Sequence, residues 1–252
     1  MAITAILLAA GYATRLYPLT KDRPKALLPL GSGTILDGVI RTLPEVPELR
    51  NTVLVTNHRF AEWFREWQRS RGAKVTVVDD GTASAETRLG AIRDLALARR
   101  ETDPRDDLLV VGTDNLFHWS LAQFVQEARR HAPKPSLALW RAKSLEVAKE
   151  FGVVTRDPTT RITAFVEKSP QPPSAEVALC VYFFPGPMCG DIQRFLTEGG
   201  NPDAPGYFIE WLVRRGEVYG IMMPGAWYDI GSLDSYQTVL KEWPQAGDGS
   251  RV

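Results

Sequence analysis

Apolar residues are distributed along this chain in two rhythms. Ala2–Ala9 (AITAILLA) is a continuous apolar run that stops at Gly11, as a strand buried on both faces does. Asn51–Thr56, Lys74–Val78 and Leu108–Val111 are short and rich in β-branched or apolar residues, and they predict further strands. Between them the spacing lengthens to three and four. Thr34–Leu43 sets Ile35, Leu36, Val39, Ile40 and Leu43 on one stripe. Phe60–Arg71 does the same with Phe60, Trp63, Phe64 and Trp67, which reads as a core face rather than a stacking platform. Thr87–Arg99 turns Leu89, Ile92, Leu95 and Ala96 inward, and Trp119–His131 predicts another helix.

Strand and helix thus alternate through the first half, which implies right-handed crossovers and a mainly parallel sheet. Ligands of such sheets lie beyond the carboxyl ends of the strands, so residues just after each strand come first as site candidates. In the second half the strands Ser136–Trp140, Gly152–Thr155, Ile162–Lys168 and Ala178–Phe184 have few helices between them, so some antiparallel pairing follows. Met188–Glu198, Tyr207–Arg215 and Ser232–Trp243 read as helices, and the Pro-rich Ser169–Ala175 as a surface loop. The expected architecture is α/β: a Rossmann-like mixed, mostly parallel central sheet flanked by helices, with a smaller antiparallel cover on the substrate side. One domain is expected over residues 1–243. The polar stretch 244–252 reads as a flexible tail.

Composition narrows the partners. Lys plus Arg number 30 and Asp plus Glu 30 in 252 residues, so the formal net charge is zero. That excludes a general basic field for nucleic acid, and an anionic ligand must be held by a few placed cations. Cys180 and Cys189 are the two cysteines, too few for a disulfide framework or a thiolate metal site. The apolar start, Met1–Ala10, lacks a basic leader and is too short to span a bilayer. A cytoplasmic protein without membrane contact is expected. The Trp-bearing helix Phe60–Arg71 leaves a homo-oligomer open.

The segment Leu8–Pro29, LAAGYATRLYPLTKDRPKALLP, carries the first chemistry. A strand ends in the small residues Ala9, Ala10 and Gly11, where backbone N–H groups can approach a phosphate or base closely. Thr14 and Arg15 follow, and Lys25 comes ten residues later. Two strong cations beside exposed donors suit a triphosphate, Arg as a fork and Lys as a mobile point charge. A plain chain turn with two solvated cations fits these residues equally. Asp114, at the end of the strand Leu108–Val111, is placed to hold Mg²⁺ or to serve as a turn residue. Asp229, within Ala226–Gly231, reads by itself as a helix cap.

Together these elements resemble the sugar-1-phosphate nucleotidylyltransferases. Gly11, Thr14, Arg15, Leu16, Pro18, Thr20, Pro24 and Lys25 match the N-terminal signature G-x-G-T-R-L-x-P-x-T…P-K in order and spacing, with Ala13 in place of the second glycine. Neither a Walker A loop nor a dinucleotide fingerprint fits at this position. The resemblance implies that Asp114 and Asp229, the latter in a W-x-D-x-G element, bind Mg²⁺. It also implies that Glu167 and Lys168, in a variant E-K-P element with Ser169 for the proline, bind the sugar hydroxyls and the substrate phosphate. Arg15 would steady the β,γ-phosphates, and Lys25 would neutralise the α-phosphate. The implied activity joins a nucleoside triphosphate to a sugar 1-phosphate by attack on the α-phosphorus, releasing pyrophosphate.

Val77–Ile92 takes the place of the family's nucleobase loop and departs from its G-T-A-x-A form. Thr87-Arg88-Leu89 is loosely similar to the G-R-L of cytidylyltransferases, which points to a pyrimidine nucleotide, CTP ahead of dTTP or UTP. Asp80, Gly81 and Arg88 are the candidate base or ribose contacts, and Arg88 reads equally as a surface residue at a helix start. Tyr207 is expected to anchor its helix. Two other readings stay open: transfer to a non-sugar phosphomonoester such as a phosphorylated polyol or amino alcohol, and a catalytically inactive regulatory relative.

Overall fold

A computed structural model describes residues 1–243 of the chain; the expected tail over 244–252 lies outside the described residues. The first half contributes β1 (Ile3–Leu8), the small hairpin β2 (Pro29–Leu30) and β3 (Gly33–Thr34), α1 (Ile35–Ile40), β4 (Leu49–Thr56), α2 (Ala61–Arg71), β5 (Thr76–Asp79), α3 (Ala91–Ala98), β6 (Asp107–Gly112), β7 (Asn115–Phe117) and α4 (Leu121–Arg130). The second contributes β8 (Ser136–Arg141), α5 (Leu145–Ala148), β9 (Gly152–Arg156), β10 (Ile162–Glu167), β11 (Glu176–Phe184), α6 (Gly190–Thr197), α7 (Pro205–Arg215), β12 (Tyr219–Met222), β13 (Trp227–Asp229) and α8 (Leu233–Glu242).

The central sheet has nine strands in the order β10-β9-β11-β6-β1-β4-β5, with β8 paired to β11 and β12 paired to β8. β6, β1, β4 and β5 run parallel, as the alternation predicts. β11 turns the sheet antiparallel against β6, β8 and β9. A separate two-stranded sheet pairs β13 with β7, Asp229 opposite Asn115. The expected mixed α/β architecture is thus present.

Side-chain alternation builds a core on each face. Ile3, Ala5 and Leu7 of β1 join Leu36, Val39, Phe64, Trp67, Phe124 and Val125 from α1, α2 and α4. Ile6 of the same strand points the other way, toward Ile92, Leu95, Ile192, Phe195, Phe208 and Ile209 from α3, α6 and α7. The apolar run of β1 is continuous because both of its faces are covered. Local chemistry sets several ends. Thr34 and Asp37 close a capping box on α1, and Gly72, at φ 59°, ends α2 in the left-handed conformation.

Three local readings are corrected. α3 starts at Ala91, not Thr87: Ala85–Thr87 form a 3₁₀ turn, and Gly90 sits at φ 90° with its Cα against the backbone of Pro202. A Cβ at residue 90 would meet that backbone, so the chain must turn there before the helix begins. Trp63, read as part of the core face of α2, is 39% exposed and lies 5.4 Å from the Arg23 guanidinium in a cation–π contact, while Phe60, Phe64 and Trp67 are buried. Leu89, expected on the inward stripe, is half-buried in the loop before the helix, whereas Ala96 packs against the core as expected and Asp94 occupies a buried position on the same helix. Cys180 and Cys189 are free thiols, as expected. Among the described residues no helix is long and apolar enough to cross a membrane.

Candidate active site

The parallel strands β1, β4 and β6 end together, and the loops after them gather most of the predicted residues. Ala9 continues the sheet by donating its N–H to Val55 O at 2.9 Å, and Ala10 O accepts from the Asn57 side chain at 2.9 Å. The loop is therefore pinned up to Gly11, where a Cβ would meet no atom within 4 Å. Ala13, which stands where the resembled signature has glycine, adopts φ 48° and is held there by Thr20, whose hydroxyl donates to Ala13 O at 2.7 Å. Ala10, Gly11, Thr14, Arg15, Lys25 and Asp114 line one cavity of about 540 Å³, together with Arg88, Gly90 and Asp94. Ala9, Asp80 and Gly81 do not line it. Arg88 does, and its guanidinium pairs at 2.8 Å with Asp203, which lines the cavity too.

A second cavity, of about 550 Å³, is lined by Glu167, Lys168, Tyr182, Gly206, Trp227 and Asp229, among others. The two cavities meet: Arg15, Asp114, Lys168, Cys180 and Pro205 belong to both. Lys168 lines both with a left-handed backbone, at φ 46°, and its N–H donates to Phe151 O at 3.1 Å. A third cavity, between Pro133–Pro135 and Trp211, shares no lining residue with either.

Charge is concentrated at the junction. Burial by itself would raise the Asp114 carboxyl, but the Lys25 ammonium at 2.6 Å and the Asn115 amide at 2.8 Å hold it below its ordinary value. Burial and the negative charge of Asp114 push Asp229 up to about 6, against the pull of Lys25, Arg15 and Lys168. Two carboxylates that oppose one another in this way form a donor set suited to a hard divalent cation, which would relieve the repulsion. Among the described residues no cluster of three or more His, Cys, Asp or Glu forms, so other ligands to such a cation would be water and substrate oxygens. On this chemistry the residues fit Mg²⁺.

Glu167 sits in a slot made by two glycines that the sequence did not single out. A Cβ at Gly206, in the first turn of α7, would overlap the Glu167 carboxylate, and one at Gly152 would come to 2.9 Å from it. Burial, with Glu210 adding to it, raises the Glu167 carboxyl against the pull of Lys168. Alanine is ordinarily the better helix residue by about 1 kcal/mol. Here the overlap wins, and Gly206→Ala is expected to destabilise the fold by about 1–3 kcal/mol in urea unfolding. An unchanged or higher midpoint would show that Glu167 is not confined.

Asp94, also missed, is the other notable carboxyl. It is 6% exposed, and burial followed by the charge and hydrogen bond of Asp80 raises it to about 8. Folded protein therefore keeps a proton that unfolded chain gives up near pH 4, so stability falls as pH climbs from about 4 to about 8. The groups around it are Asp80 and the Tyr12 phenol, and Arg15, Lys25 and Arg88 line the same cavity. Asp94→Asn removes this loss. Its unfolding free energy relative to the parent should rise by about 2–5 kcal/mol between pH 5 and pH 8. A difference that stays flat with pH would remove the basis for the raised carboxyl.

The family model described as Nucleotidyl transferase matches residues 4–245. The chain belongs to the nucleotidyl transferase family. Among its relatives, a glucose-1-phosphate adenylyltransferase of Corynebacterium jeikeium is 29% identical over 93% of this chain and 65% of its own length. A mannose-1-phosphate guanylyltransferase of Oryza sativa, named as probable, is 26% identical over 94% of this chain and 63% of its own. The chain thus spans about two thirds or less of the curated relatives it matches. A solved structure from Bacillus anthracis, described as a candidate glucose-1-phosphate thymidylyltransferase with sucrose, superposes with a TM-score of 0.81 at 21% identity, over 95% of this chain and 94% of that one. This nucleotidyl transferase shares that fold.

Proposed function

We propose that this nucleotidyl transferase joins a nucleoside triphosphate to a sugar 1-phosphate, giving a nucleoside diphosphate sugar and pyrophosphate. The observation that carries the reading is the meeting of two cavities at Arg15, Asp114 and Lys168. One has a backbone-donor loop and cations for a triphosphate. The other has a carboxylate, Glu167, and aromatic walls for a polyhydroxylated acceptor. The names of the relatives are in keeping with such a pair of substrates.

In this reading an acceptor phosphate oxygen attacks the α-phosphorus. The new P–O bond forms as the bond to the β-phosphate oxygen breaks, and pyrophosphate leaves. No general base is needed, because a phosphate monoester is already an anion at neutral pH. Lys168 holds the acceptor phosphate, Arg15 the β,γ-phosphates and Lys25 the charge that gathers on the α-phosphoryl group, so catalysis is positioning and charge stabilisation. Asp114 and Asp229 would hold Mg²⁺, which when bound supplies further positive charge to the phosphates.

Retention of Arg15, Lys25, Asp114, Lys168 and Asp229 together disfavours an inactive relative. The carboxylate slot at Glu167 favours a sugar over a simpler phosphomonoester. The test is pyrophosphate release from ATP, CTP, GTP, UTP and dTTP against a panel of sugar 1-phosphates, with phosphorylated polyols and amino alcohols alongside. Release with at least one sugar 1-phosphate is expected. No release with any pair would sink the reading.

A further inference from the structure

We infer that Asp94, joined to Asp80 as an acid pair, reads the nucleobase and selects one that bears an amino group; the inference rests on the nucleotide reading of the first cavity. The two side chains come from different elements, Asp94 from α3 and Asp80 from the loop after β5. Asp80 Oδ1 is fully used: it accepts from Thr82 N at 2.6 Å and from the Thr82 hydroxyl at 2.7 Å. That hydroxyl lies 3.1 Å from the Tyr12 phenol, which ties the acid pair to the Gly11 loop. Asp80 Oδ2 and Asp94 Oδ1 are both sealed from solvent, and neither finds a donor in the protein. The Asp80 carboxyl is nonetheless within hydrogen-bond reach of Asp94.

Two bare carboxylate oxygens cannot be buried against each other; one proton between them resolves the contact. Burial raises Asp94 to about 8, so the proton is kept at neutral pH. Its position has a consequence for the cavity. With the proton held between Asp94 Oδ1 and Asp80 Oδ2, Asp94 Oδ2 carries no hydrogen, and it is an acceptor only.

Asp94 lines the same cavity as Gly11, Thr14, Arg15 and Lys25, but comes to it on α3, whereas those four come from the segment after β1. In this inference a nucleotide with its phosphates on the cations has its base at Asp94. Cytosine, adenine and guanine each offer an amino N–H to such an acceptor. Uracil and thymine place a carbonyl where cytosine carries its amino group, so lone pairs would face lone pairs. A site built around one hydrogen bond discriminates well against the partner that lacks it. The inference keeps CTP from the sequence reading, sets aside dTTP and UTP, and admits ATP and GTP.

The test is calorimetric binding, which needs no acceptor. ATP, CTP, GTP, UTP, dTTP and inorganic tripolyphosphate are titrated with Mg²⁺ into the parent protein, Asp94→Asn and Asp94→Leu. The parent should bind its best amino-bearing nucleotide at least about 10-fold more tightly than UTP or dTTP. Asp94→Asn can donate its amide to Asp80 and keep its carbonyl in the cavity, so it should preserve that ratio. Asp94→Leu should bring the ratio to within about 3-fold while leaving tripolyphosphate affinity unchanged. The inference is overturned if UTP or dTTP matches the best nucleotide in the parent, if the leucine variant keeps the ratio, or if it weakens tripolyphosphate equally. Binding of every nucleotide without regard to base overturns this inference and leaves the proposed function standing. A folded parent that binds neither nucleotide nor tripolyphosphate overturns both.

Discussion

Asp114→Asn and Asp229→Asn are each expected to cut pyrophosphate release by at least about 10³-fold, because each removes a carboxylate that would hold the metal against the phosphates. Their effects on the fold should differ. Asp229 is raised by burial and by Asp114, so an amide there ends a like-charge repulsion, and the variant should be at least as stable as the parent near neutral pH. Asp114 accepts from Lys25 at 2.6 Å, and Lys25 is 18% exposed. Neutralising Asp114 strands that ammonium, and a stability loss of about 1–3 kcal/mol is expected. Steady-state pyrophosphate release and urea unfolding of the same two preparations provide the check. Near-normal turnover in either variant would mean the metal assignment is wrong. A destabilised Asp229→Asn would mean that the two carboxylates do not oppose one another.

The sequence was most informative where one constraint acted on many residues. β1 was legible because both of its faces are covered, and the stripes of α1, α2 and α4 because each packs one side against the sheet. The paired strands β7 and β13 were not legible, since three-residue strands hold too few positions for a period. α3 lost its first turn to Gly90, whose approach to the Pro202 backbone is a contact with residues more than a hundred positions away. Trp63 broke from its stripe because its partner is Arg23, a cation from a distant loop.

The site divides the same way. Arg15, Lys25, Asp114, Glu167, Lys168 and Asp229 could be named because ordered motifs surround them, and the structure brings all six to the walls of two adjoining cavities. Gly152 and Gly206 could not, because their role is to leave room for an atom of Glu167, and spacing along the chain does not encode a void. Asp94 gave one usable signal: a carboxylate between Ile92 and Leu95 on a helix whose apolar residues face inward. A charge in that place requires a partner, and the partner, Asp80, is another acid, which only the fold could bring to it.

Lys25 yields the second large effect, and its two readouts move in opposite directions. In the absence of substrate its ammonium bonds to Asp114 Oδ2, an oxygen that the proposed cation would also use. In the proposed mechanism Lys25 and the cation would therefore compete at one carboxylate, while on a bound nucleotide they would act together on the α-phosphoryl group. Lys25→Ala should lower kcat by about 10²–10³-fold, the range seen when one preorganised donor to a developing charge is removed. The KM for the triphosphate should change less, since Arg15 and the Gly11 loop remain. In the same variant, Mn²⁺ used as a probe without nucleotide should bind about 10-fold more tightly, because a positive charge beside the site has gone. Lys25→Arg keeps the charge and should keep the weaker Mn²⁺ binding, yet its longer planar head cannot reproduce the point contact, so turnover stays low. Kinetics with the preferred nucleotide and Mn²⁺ titration of the free protein measure both effects. If Lys25→Ala weakened Mn²⁺ binding, the ammonium would be supporting the carboxylates rather than competing for them, and its role would be to hold Asp114 in place.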